Sequence, residues 1–343
     1  MKLFKAIHRK VAKGLLLGAS LGLVAGSVAH ADDAQRIESL RQPYIDAVKG
    51  KKIVFLVTTL GVDLTAEWDR VFKETSARLG MNYSVRDSNW NTQAQVQALE
   101  AVIQEKPDAI IIHNWNVSVT ARQIKKAEEA GIPVIQINQK SLQNSTALVG
   151  VDWTGVGVVT AEEMVKQCGQ GSGRSGKVAI IEGDVTASDS YYQMAGVDSV
   201  FSKHSEMSIV ANQGGQWDPN KAHDLAVTIL QQHPDLCAFY GTWGVMDMGI
   251  AQAIKEAGLK GKVLNYSNDG GSRYACDAVK AGDITKFWTY DAPSQARDVM
   301  QLITYLFQNN YKAGTLKGAL YSPLTEISQV GYSDKLCWDP VKK

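Results

Sequence analysis

The chain has 343 residues, with 36 Lys and Arg against 35 Asp and Glu and a formal net charge of +1. No basic stretch is concentrated enough to suggest nucleic acid as a partner. The length suits two lobes better than one core.

Lys2, Lys5, Arg9, Lys10 and Lys13 make a basic start, and residues 14–28 are apolar and small. Ala29-His30-Ala31 then supplies a small-x-small cleavage site. This order reads as a secretory signal peptide over residues 1–31. A membrane anchor is the alternative, but a span needs roughly twenty apolar residues, and this run is short and Gly-rich. The predicted mature chain starts near Asp32, is mildly acidic, and is soluble and exported. Residues 32–50 read as a polar tail or short helix.

Ile53 to Val57 is a continuous apolar run with β-branched residues, as in a parallel strand covered on both faces. A helix follows, with Thr65 as its cap and Trp68 on its first turns. Further strands are predicted at 83–86, 109–113, 133–138 and 148–151. Between them lie helices at 92–105 and 119–130, the second ended by Gly131 at its C′ position. The alternation continues with helices at 155–167, 190–204, 220–232, 246–257, 273–280 and 294–308. Asp218 caps the 220–232 helix and Pro219 opens it. Strands fall at 177–182, 208–211, 236–240, 263–266 and 285–289, and Glu326-Ile327 lies in a last extended segment. This is the pattern of βαβ units. It predicts an α/β fold of two doubly wound parallel-sheet lobes. The boundary is expected near 149–154, where two strands come close without a helix between them.

Gly171-Ser172-Gly173-Arg174-Ser175-Gly176 spells GxGxxG, but it follows a helix and precedes a strand. The dinucleotide fingerprint has the opposite order, so a surface loop is expected there. GxxxxGK[ST], HExxH and GxSxG are absent from the sequence. His204, His223 and His233 are expected at the surface, and only His113 stands near a strand end. No cofactor and no metal are expected. Cys168, Cys237, Cys276 and Cys337 contain no CxxC, which argues against zinc. Disulfides and buried thiols both remain open from spacing alone.

A polar or aromatic group recurs just after each strand, where open α/β sheets bind ligands. In chain order these are Asp63 and Trp68; Asn114 and Trp115; Asn138 and Gln139; Asp189 and Tyr191; Trp217; Trp243; Asp269; and Asp291. Of the chain's 8 Trp, Trp68, Trp115, Trp217, Trp243 and Trp288 lie on or beside these edges. Asp, Asn and Gln pair with hydroxyls, and Trp faces cover the C–H surface of a sugar ring. The set therefore predicts a binding site for a small hydroxylated ligand. It lacks a nearby nucleophile, metal set or base, so no enzyme is expected.

The exported α/β pair with its Thr58-Thr59-Leu60 loop resembles the type I periplasmic solute-binding proteins, especially the ribose-binding group. The resemblance runs from about Lys51 to Ile327. That family carries two aromatics after its first strand; here Val62-Asp63-Leu64-Thr65 stands in that place, with Trp68 one helical turn on. The family's Asp-Arg after the fourth strand corresponds to Asn138-Gln139. Its second-lobe Arg aligns with Tyr191 or a close neighbour, and its Phe-Asp with Trp217-Asp218. Trp243 replaces an Asn ahead of Val245-Met246-Asp247-Met248-Gly249. Ser267-Asn268-Asp269-Gly270 matches Phe-Asp-Gly, and Asp291 replaces a Gln ahead of Ala292-Pro293. Both sugar-binding arginines are replaced, which disfavours ribose itself and any anionic ligand. A neutral polyol, another monosaccharide or a ligand with cationic character fits the set.

The resemblance implies a first lobe of residues 51–151 plus 291–319 and a second of 152–290 plus 320–343, joined by a multi-strand hinge. It places all four cysteines in the second lobe and implies pairs 168–237 and 276–337. It further implies the monomeric substrate-binding subunit of an ABC importer for a sugar or sugar alcohol, with the membrane permease as partner. Two alternatives are an exported carbohydrate-active hydrolase and the ligand-binding partner of a chemoreceptor or sensor kinase, including one for a furanosyl quorum signal. A retaining hydrolase would need two carboxylates about 5–5.5 Å apart, for which Asp63, Asp269 and Asp291 are the residues available.

Overall fold

The apolar runs pair into two six-stranded sheets in the structure, a computed structural model that describes residues 38–340. The signal-peptide reading lies outside the described residues. The contacts divide the chain after Ala47. The helix Arg41–Val48 spans that boundary, and the second unit holds everything below.

The first sheet contains β1 (Lys52–Val57), β2 (Asn82–Asp87), β3 (Ala109–Ile112), β4 (Val134–Asn138), β5 (Ala147–Gly150) and β11 (Gly318–Tyr321). Their order is β11-β5-β4-β3-β1-β2, all parallel. The second contains β6 (Lys177–Glu182), β7 (Ser208–Gly214), β8 (Ala238–Gly241), β9 (Leu264–Asp269), β10 (Lys286–Thr289) and β12 (Thr325–Ser328). Their order is β12-β10-β9-β8-β6-β7, and only β12 runs antiparallel. Parallel strands need helical crossovers, and those helices cover both faces. Residues 53–57 are accordingly buried on both sides. Val54, Leu56, Ile110 and Ile112 pack on Leu99, Val102 and Ile124, while Phe55 meets Phe72 edge to face at 5.1 Å.

The helix ends follow the local chemistry. Asp218 accepts from the Asn220 N–H in front of Pro219–Gln232. Gly131 holds φ +83° just past the helix Ala121–Glu129. Thr65 is a correction. The helix Asp63–Leu79 starts three residues earlier than a Thr65 cap would place it, and its N-cap is Val62 without a side-chain cap. The Thr65 hydroxyl instead donates to the carbonyls of Thr59 and Val62, tying the first turn to the loop before it.

The chain passes between the sheets three times: from β5 into the helix Trp153–Cys168, from β10 into Ala292–Gln308, and from β11 to β12. Three crossings make the hinge. The disulfides formed are Cys168–Cys237 and Cys276–Cys337, the pairing the resemblance implied. The GxGxxG segment lies between a helix and β6 as a loop. No described helix is long and apolar enough to cross a membrane.

Candidate functional site

The carboxyl ends of both sheets face one cavity of about 500 Å³, open solvent at its mouth included. From the first lobe, β1 leads into Thr58 and Thr59, β2 into Trp90, β3 into His113 and Trp115, and β4 into Asn138 and Gln139. The hinge adds Trp153 and Tyr290. The second lobe adds Asp189, Trp217, Thr242, Trp243 and Asn268. Val62 and Leu64 reach across and pack on the second lobe and the hinge.

Three edge-to-face aromatic pairs wall the cavity. Trp90 and Trp115 lie 5.7 Å apart, Trp153 and Tyr290 5.5 Å, and Trp217 and Trp243 5.8 Å. Trp90, Asn138 and Trp217 hold positive φ of 60°, 65° and 60°. Non-glycine residues adopt that region at a cost and cluster in it at functional sites.

Five lining residues carry a buried polar atom without a hydrogen-bond partner: Trp115 Nε1, Asn138 Nδ2, Gln139 Oε1, Asp189 Oδ1 and Trp217 Nε1. Asn138 Nδ2 lies toward the Tyr290 hydroxyl but forms no hydrogen bond of acceptable geometry with it. Buried donors and acceptors are ordinarily paired, and an unmet one costs about 1–3 kcal/mol. Three donors and two acceptors drawn from both lobes suit a ligand whose groups both donate and accept.

Asp189 is the one carboxylate among the described lining residues, and no Lys or Arg lines the cavity with it. Burial pushes its carboxyl up to about 7. Burial also lowers His113 to about 3, so this ring is neutral at physiological pH. Its Nδ1 lies 3.0 Å from Thr58 Oγ1. Among the described residues, no group of three or more His, Cys, Asp or Glu could hold a metal ion.

Of the twelve residues expected here, Trp115, Asn138, Gln139, Asp189, Trp217 and Trp243 line the cavity. The other six do not. Asp63 is exposed, because it is the first residue of its helix rather than part of the loop. Tyr191 is 66% exposed on the outer side of its helix. Asp291 is exposed, in a φ 48° turn, and accepts from the Ser294 hydroxyl. Trp68 is fully buried against His113 at 5.1 Å. Asn114 is buried behind the site, between Gln136 and Thr120. Asp269 is buried, raised to about 6 by desolvation, and accepts from the Gly270 N–H, Tyr274 and Tyr290. It braces the Tyr290 wall from behind.

Trp90 and Trp153 also line the cavity, and neither carries a strong signal in the sequence. Trp90 follows β2, whose Asn82–Asp87 sequence is polar and half-exposed, so this strand end gave little signal. Trp153 stands where the chain leaves β5, and its Nε1 donates to the Asn138 carbonyl at 3.0 Å, pinning the hinge.

A row of hydrogen bonds joins the lobes beside the mouth. Asn116 Nδ2 donates to Thr186 Oγ1 at 2.9 Å, the Val117 N–H to the Thr186 carbonyl at 3.3 Å, and the Lys140 N–H to Ser188 Oγ at 3.0 Å. Thr186→Ala removes one of them. A single hydrogen bond contributes about 0.5–1.5 kcal/mol net, so the variant should release bound ligand about two- to tenfold faster with an unchanged melting temperature. Stopped-flow release that matched the parent would show that this row does not hold the lobes together.

Residues 53–310 match the profile of the periplasmic binding protein domain. The D-allose-binding periplasmic protein of Escherichia coli is 28% identical over 81% of this chain and 84% of its own length. The ribose import binding protein of Bacillus subtilis is 24% identical over 65% of this chain and 71% of its own. Among solved structures, a periplasmic solute-binding protein from Actinobacillus succinogenes with bound D-allose superposes with TM-score 0.71 at 23% identity. That match covers 82% of this chain and 98% of the other. A Caulobacter myo-inositol-binding protein gives TM-score 0.73 at 20% identity, over 81% and 93%.

Proposed function

This chain belongs to the periplasmic binding protein family, and from that premise we propose that it captures a monosaccharide or sugar alcohol in the periplasm for an ABC importer. The single observation that supports this most is the set of unpartnered donors and acceptors that both lobes turn into one aromatic-walled cavity. Trp and Tyr faces cover the C–H surfaces of a ring or polyol chain. The orphan side-chain atoms meet its hydroxyls, and a missing or inverted hydroxyl leaves one of them stranded. The ligand-contacting residues are then Trp115, Asn138, Gln139, Asp189, Trp217 and Trp243, joined by Trp90, Trp153, Asn268 and Tyr290. Residues 51–151 plus 291–321 move as one lobe and 152–290 plus 322–343 as the other; the expected cut after residue 319 would split β11, which pairs with β5 as far as Tyr321.

Hinge closure desolvates the ligand and presents one joined surface to the membrane permease. The protein acts as a monomer and releases its ligand unchanged. One lining carboxylate does not supply the pair a glycosidase uses. The relatives support the same direction, being named for binding allose and importing ribose or apiose.

A thermal-shift screen of monosaccharides and sugar alcohols, followed by small-angle scattering on the hits, tests this. A ligand present at a hundred times its Kd adds about 2.7 kcal/mol of stability. The expected hit raises the melting temperature and reduces the radius of gyration. A hit that is hydrolysed, or one that binds without compaction, would contradict hinge capture.

A further inference from the structure

The charge inside the cavity is one-sided. Asp189 is 3% exposed, its Oδ1 has no partner, and no described Lys or Arg shares the cavity. Glu182 and Asp184 add further negative potential around it. A buried carboxylate without a counter-charge is costly. A neutral ligand satisfies the other orphan atoms but brings no counter-charge to the ionised form of that carboxyl. The aromatic walls point the same way. Ring faces carry the negative end of a quadrupole and attract a cation within about 6 Å of the ring centre. Trp90–Trp115, Trp153–Tyr290 and Trp217–Trp243 surround the space from the first lobe, the hinge and the second lobe.

Resting on the capture reading above, we propose that the preferred ligand carries one protonated nitrogen, paired with Asp189, on a hydroxylated frame: an amino sugar or an amino polyol. A simple alkylammonium ion fills only half of the requirement. Trp115 Nε1, Asn138 Nδ2 and Trp217 Nε1 are donors, and a cation without hydroxyls offers them nothing to bind. An acidic sugar would set a like charge against the ionised carboxylate.

The test is calorimetric titration of the intact protein with matched pairs that differ by one amino group. Each aminohexose is set against its parent hexose, and each amino-alditol against its parent alditol. In at least one pair the amine should bind tenfold or more tighter than its neutral partner. Asp189→Asn, which keeps size and shape, should bring that ratio below threefold. The wild-type comparison stands by itself if the variant folds poorly. Neutral members that bind as tightly as their amines in every pair, or a preference that survives Asp189→Asn, would overturn the proposal. A neutral sugar that binds when no amine does would overturn it too, and would leave the capture reading intact. No binding by any member would count against both.

Discussion

Gly183→Ala should cost at least a hundredfold in ligand affinity while the empty protein keeps its fold. Gly183 follows β6, and the Trp217 indole lies flat against its bare Cα. A Cβ there would sit 2.1 Å from Trp217 Cη2 and 2.2 Å from Cζ3. Such contacts do not occur, so the ring must swing away. Trp217 is held by a φ 60° backbone and has Trp243 on one side. Trp217 lines the cavity, and a swing of the ring would change the ligand space and misplace Nε1. Losing one stacking face and one donor together reaches the few kcal/mol that a hundredfold requires. Calorimetry with the hit from the thermal-shift screen measures the loss, and circular dichroism checks the fold. Unchanged affinity would mean that Trp217 is not part of the ligand wall.

Gly157→Val should be the more damaging change for stability, at about 3 kcal/mol or above. The helices Trp153–Cys168 and Ser188–Phe201 touch through paired glycines. A Cβ at Gly157 would lie 2.0 Å from the Gln193 carbonyl oxygen, and one at Gly196 2.2 Å from that of Thr154. Backbone atoms in two packed helices cannot step aside one by one, so the helices must part. The consequence reaches the site. Gln193 Oε1 accepts from both Tyr240 and Asn268, and Asn268 lines the cavity. Thermal and urea unfolding should both shift, and binding should weaken with them. A melting temperature within a degree or two of the parent would show that the helices have slack.

Four of the six expected residues that line the cavity share one property. Asn138, Gln139, Trp217 and Trp243 come straight after apolar strands or at a capped helix start, so counting along the chain places them at the cleft edge. Asp63 and Asp291 lie outside the cavity lining by a small displacement. Each stands at a helix start, where one residue of shift turns a side chain from the cleft to solvent. Asp269 lies outside it for a different reason: β9 runs on through Asn268 and Asp269. Alternation then gives Asn268 to the cavity and Asp269 to the brace behind Tyr290. Trp90 depends on two consecutive left-handed residues, Asn89 and Trp90, which no periodicity announces.

The amino-acid order by itself determined the two mostly parallel sheets, the helices between them and the stop signal at Gly131. These follow from apolar runs and backbone preferences that act over a few residues. Only the tertiary structure decided which side chains share the cavity, that Asp189 stands there without a counter-charge, and that six aromatic rings enclose it in three pairs. Those outcomes depend on φ angles at single residues and on three chain crossings that bring distant strand ends together, and neither is a local property.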